Sequence, residues 1–70
     1  MVGIGKGFKV DDRVYFTDTS DPKLDGLTGT ILGTSFDFVH KSHIVLLDTP
    51  YLGEKAISIT EACLEKIALN

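Results

Sequence analysis

The sequence predicts an all-β chain folded as a single five-stranded barrel, and three stretches carry that prediction. Val10-Asp11-Asp12-Arg13-Val14-Tyr15-Phe16 is strand-like and leads into a polar, acidic stretch. Leu24-Asp25-Gly26-Leu27-Thr28-Gly29-Thr30-Ile31-Leu32-Gly33 ends that stretch at a turn and enters a second strand punctuated by glycine. Ile44-Val45-Leu46-Leu47 is an aliphatic run of the length and composition of a buried strand. A small sheet closes on itself only when its strands curl strongly, and glycines inside a strand supply such bends.

Taken in order, residues 1–7 (Met-Val-Gly-Ile-Gly-Lys-Gly) read as a flexible glycine-rich lead-in, and residues 8–70 as the barrel. The lead-in glycines follow no strand, open no helix and lack a Gly-Lys-Ser/Thr ending, so they do not make a phosphate loop. Phe8, Val10, Val14 and Phe16 share one parity, which predicts a half-buried first strand interrupted by a turn or bulge at Asp11-Asp12. Asp18-Thr19-Ser20-Asp21-Pro22 begins a loop of turn residues that runs to Asp25-Gly26. From Leu27 to Ser35, Leu27, Gly29, Ile31 and Gly33 fall on one side and Thr28, Thr30, Leu32 and Thr34 on the other. Phe36 to Val39 prolongs that strand, and His40-Lys41-Ser42-His43 is expected to reverse the chain.

His43 to Asp48 then forms the clearest strand, ended by Thr49-Pro50, and Tyr51-Leu52-Gly53-Glu54 connects it to a short strand over Lys55–Ile59. The last segment has two readings. Ser58-Ile59-Thr60-Glu61 fits a capping box, with Ile59, Cys63 and Ile67 on one helical stripe. Alternatively, Thr60-Glu61-Ala62 is a tight turn before a last strand from Cys63 to Ile67. The second is favoured, because it supplies the strand that closes a barrel.

Composition narrows the function classes. Seventy residues make one domain, near the lower size at which a chain supports its own core. Cys63 is the only cysteine, so no intramolecular disulfide forms and no CxxC pair is present for zinc. A reduced, cytoplasmic setting is expected, with no signal peptide and no membrane span. Seven basic residues face ten acidic ones, a net charge of −3 that disfavours a nucleic-acid partner.

No constellation of residues builds a strong case for chemistry. Asp18, Asp21 and Asp25 lack the ligand order of a calcium loop, and their bland role is to cap their own backbone amides. Asp37-x-x-His40-x-x-His43 holds two imidazoles and a carboxylate but lacks a fourth ligand, so it reads as a polar hairpin tip with two surface histidines. Cys63, flanked by Ala62 and Leu64, reads as a small core residue and not as a nucleophile. No catalysis, cofactor or metal is expected. Tyr15 has the opposite parity to Val14 and Phe16 and should face outward, and Tyr51 follows a proline in a loop.

Lys9 to Leu47 resembles the SH3-like barrels, in their KOW-type version. Asp12-Arg13-Val14 stands for that pattern's first strand, Gly26-Leu27-Thr28-Gly29-Thr30-Ile31 for its Gly-x-x-Gly-x-Ile element, and Ile44-Val45-Leu46-Leu47 for the strand that follows. Ile59-Thr60-Glu61-Ala62-Cys63-Leu64 looks like the turn before the closing strand, extending the likeness to residues 9–67. A side chain at Gly29 would collide with the strand crossing over it. Asp11 stands where the pattern has glycine, and the first loop is acidic where ribosomal KOW proteins tend to be basic. The resemblance implies a binding module, of the sort found as a subunit of larger complexes or a small phage or bacterial accessory protein.

The expected function is therefore a non-catalytic protein-interaction module, with Tyr15, Asp18, Asp21, Asp25, Phe38, His40 and Tyr51 as binding residues. Its surface is the acidic loop, Tyr15 and the hairpin from Phe36 to His43. One alternative is an RNA- or ribosome-associated module using Lys6, Lys9, Arg13, Lys41 and Lys55 against phosphate. Another is a self-assembling subunit, a homo-oligomer built by pairing edge strands.

Overall fold

In the computed structural model, residues 7–37 and 40–67 are described. Among them five strands follow one another: β1 (Arg13–Phe16), β2 (Thr28–Asp37), β3 (His40–Tyr51), β4 (Glu54–Thr60) and β5 (Leu64–Lys66). Among the described residues one 3-10 turn, Glu61–Cys63, leads into β5. All pairings are antiparallel, in one sheet of order β4-β3-β2-β1-β5.

The expected last strand forms and pairs with β1, with Phe16 opposite Leu64 and Val14 opposite Lys66. It does not close the ring. β4 and β5 lie at opposite ends of the strand order, and the all-β chain is an open five-stranded sheet, not the closed barrel the sequence predicted. The 3-10 turn redirects the chain between Thr60 and Leu64, and three residues in β5 provide one short ladder, which β1 takes.

One face of the sheet carries the core. Val14 and Phe16 from β1, Ile31 from β2, Val45 and Leu47 from β3 and Leu64 from β5 are buried, joined by Leu24 from the first loop. Alternation is strict along β1 and from His43 to Asp48 in β3, with Tyr15, Ile44, Leu46 and Asp48 turned outward. This is the pattern of an antiparallel sheet with one buried face.

Three expectations fail for local reasons. The turn expected at Asp11-Asp12 forms, but the strand expected ahead of it from Phe8 does not, and β1 starts only at Arg13: the Asp12 amide donates to the Lys9 carbonyl at 3.0 Å, the Asp12 carboxylate accepts from the Lys9 amide at 2.8 Å, and Asp11 sits at φ +78°. Val10 is therefore exposed, although Phe8 still packs against the core. Residues 40–43 do not reverse the chain, because His40 already pairs with Asp37 and His43 with Thr34. Pro50 does not end β3, which runs on to Tyr51 at the sheet's margin.

β2 also departs from simple alternation. Ile31 faces Val45 and Gly33 faces Ile44, so Leu32 is an extra residue inserted against β3. The bulge reverses parity beyond it. Gly33 moves to the outer face and Thr34 comes opposite His43, the reverse of the sides the sequence predicted for both.

Candidate functional site

The outer face of the sheet is built around Arg13 and Asp48. Arg13 Nη1 donates at 2.8 Å to both Thr30 Oγ1 and Asp48 Oδ1, and Nη2 donates to Asp48 Oδ2. The Thr28 hydroxyl donates to the same Oδ2. Outward positions on β1, β2 and β3 are thus tied together across the sheet. The Arg13 guanidinium, then the Thr28 hydroxyl, hold the Asp48 carboxyl down at about 2.

Beside this network lies Tyr15, opposite Thr28 on one side and Glu65 on the other. Leu32, Ile44 and Leu46 share the outer face, and these four side chains are 39–46% exposed. Sequence reasoning found Tyr15 and missed the aliphatic three. Ile44 and Leu46 alternate with Val45 and Leu47, and only one of the two sets can face the core.

The first loop stands at the foot of β1 and is held by its own aspartates. Asp25 Oδ1 accepts from the Thr19 amide at 2.9 Å and from the Thr19 hydroxyl. Asp21 Oδ1 accepts from the Lys23 amide at 2.9 Å, while its carbonyl accepts from the amides of Leu24 and Asp25. The Gly26 amide donates to the Phe16 carbonyl at 2.7 Å and closes the loop. Two of the three loop carboxylates thus shape the loop. Asp18 sits at φ +55°, and the Cys63 thiol lies 3.6 Å from its carbonyl oxygen.

The structure gathers some of the sequence-predicted residues and separates others. Tyr15 is the third residue of β1, and Asp18, Asp21 and Asp25 lie in the loop that follows that strand. Tyr51 is the last residue of β3 and packs against the core, not in an open loop. The β2–β3 hairpin lies at the far end of β2, a ten-residue strand that spans about 30 Å when extended. There Phe36 is 71% exposed, with Lys41 Nζ 5.4 Å from its ring centroid. His40 opens β3 in that hairpin, and Phe38 lies outside the described residues.

The chain matches no family model, and neither a curated protein nor a solved structure matches it.

His43 also departs from its expected place. It is no surface histidine: it is 1% exposed and sits on the core face. Its Nε2 lies 2.9 Å from Glu61 Oε1, its Nδ1 lies 3.0 Å from Thr34 Oγ1, and Phe8 meets the ring edge-on with centroids 5.0 Å apart. Lys41 Nζ is 3.8 Å from the same Glu61 oxygen. Both imidazole nitrogens are engaged within the fold, and no group of three or more His, Cys, Asp or Glu among the described residues is placed to hold a metal ion. The signal was in the sequence, since His43 shares parity with Val45 and Leu47.

Proposed function

We propose that this chain is a small non-catalytic binding module of the SH3-like type, a cytoplasmic accessory subunit that engages a protein partner with Tyr15 and the first loop. The observation that carries this reading is the placement of Tyr15. It is an exposed aromatic at the foot of a self-braced loop, on a sheet face that also exposes Leu32, Ile44 and Leu46. An exposed aromatic beside apolar surface is a usual anchor of a protein interface. The strand order, and the 3-10 turn placed directly before the last strand, support the SH3-like resemblance.

The nucleic-acid reading loses one of its cations, because Arg13 is held bidentately by Asp48. Partner capture from the native host tests the proposal, comparing the unaltered protein with Tyr15→Ala and Asp18→Ser. Asp21 and Asp25 are left intact, since they hold the loop. Loss of a specific partner with either variant is expected. Equal capture by both variants would move the binding surface elsewhere.

A further inference from the structure

We infer that two copies of this chain pair through their β4 edges, in antiparallel register about Ser58. β4 is the long edge of the sheet, seven residues against three in β5 at the other end. Among the described residues no strand pairs with its outer side. Within Glu54–Thr60 there is no proline, and the register between Leu46/Ala56 and Ser42/Thr60 runs without a bulge. Such an edge presents a row of backbone donors and acceptors to another strand.

Side-chain chemistry selects both the partner and the register. With the two-fold axis at Ser58, each Ile57 faces Ile59 of the second copy on the core side, giving cross-strand aliphatic pairs. Ala56 faces Thr60 and Ser58 faces itself on the outer side, so nothing bulky obstructs the approach. At each end, beyond the regular ladder, Lys55 of one copy approaches the end of β4 where Glu61 of the other opens the 3-10 turn. Glu61 is already held by His43 and Lys41 of its own copy, and Lys55 with its neighbour Glu54 brings charges of both signs to that end. An axis at Ile57 would instead set Lys55 against Ile59 and lose the two Ile57–Ile59 pairs.

The contact is one strand wide and falls below the roughly 1,200 Å² of stable complexes, so association in the micromolar range or weaker is expected. Sedimentation equilibrium from about 1 µM to about 1 mM tests it. The average mass should rise from 7.6 kDa toward twice that value with concentration. Ser58→Lys sets two ammonium groups against each other at the axis and should return the protein to monomer. Lys55→Glu should weaken the dimer independently. In a Cys63→Ser background, Ser58→Cys should cross-link under mild oxidation, because residues facing each other across an antiparallel ladder lie within disulfide reach. Ala56→Cys should not. A constant mass of 7.6 kDa over the whole range, a dimer indifferent to Ser58→Lys and Lys55→Glu, or preferential cross-linking at Ala56→Cys would each overturn the proposal.

Discussion

His43 Nε2 and Glu61 Oε1 lie 2.9 Å apart on the core side of the sheet and tie β3 to the 3-10 turn that launches β5. A carboxylate only accepts, so the Nε2 proton points at Glu61. The turn in turn steadies the first loop: the Cys63 carbonyl accepts from the Thr17 amide at 2.9 Å. One hydrogen-bonded pair therefore links the middle of the sheet to the region beside Tyr15.

Glu61→Ala should destabilise the fold by about 1–3 kcal/mol, because it leaves a ring N–H unsatisfied where water does not reach. Glu61→Gln keeps an acceptor and should cost less. Urea denaturation of the three proteins would order them as wild type, Gln, Ala. An Ala variant as stable as wild type would mean that the pair holds nothing.

Gly29 is required by close approach. A Cβ there would sit 2.5 Å from the Leu46 carbonyl oxygen and 2.6 Å from Val45 Cγ1, so the neighbouring strand would have to move. Gly29→Ala should cost about 1–3 kcal/mol, the usual range for overpacking. Gly33→Ala meets nothing within 4 Å and should be near neutral. Thermal melts of the two variants provide the comparison, and equal losses would show that crowding at Gly29 is not the cause.

What was legible in the sequence follows from how local each cause is. Strand identity, the loop braced by its own aspartates and the outward face of Tyr15 depend on parity and turn residues within a few positions, and they hold. The collision at Gly29 was foreseen through the resemblance. The bulge at Leu32 depends on how β2 meets β3, and no local pattern marks it. Because it reverses parity downstream, it hid the pairing of Thr34 with His43. Glu61 lies eighteen residues from His43, and only the path of β4 brings them together. The open sheet, in place of a closed barrel, depends likewise on where β5 finds its ladder.

The β3–β4 connection offers a stabilising change. Tyr51 pairs with Glu54 across a two-residue turn in which Leu52 has φ +51° and Gly53 φ +82°. That is the left-handed pair of a type I′ hairpin, a conformation that suits Asn-Gly and costs leucine about 1 kcal/mol. Leu52 is 82% exposed, so little packing is lost on replacement. Leu52→Asn should raise stability by about 0.5–1 kcal/mol, read as a higher melting temperature. A lower one would show that Leu52 contributes packing that outweighs its backbone strain.

Asp48 sets an acid limit on stability. Its carboxyl is held at about 2 in the folded chain, first by the Arg13 guanidinium and then by the Thr28 hydroxyl, against an ordinary value of 3.8. A carboxyl depressed on folding stabilises fully above its unfolded value and loses that contribution as pH falls through the folded one. The Asp48 contribution should therefore be complete above about pH 4 and fade toward about pH 2. Asp12 acts in the same direction, lowered first by the Lys9 amide, and adds its own share to the acid slope. Asp48→Asn should be less stable than wild type at neutral pH, and the gap should narrow as the buffer is taken to acid. Because the Arg13–Asp48 pair is partly exposed, added salt should shrink the neutral-pH gap. Urea midpoints measured across that pH interval at low and high salt test both statements, and a gap that stayed constant down to about pH 2 would remove Asp48 as the titrating group.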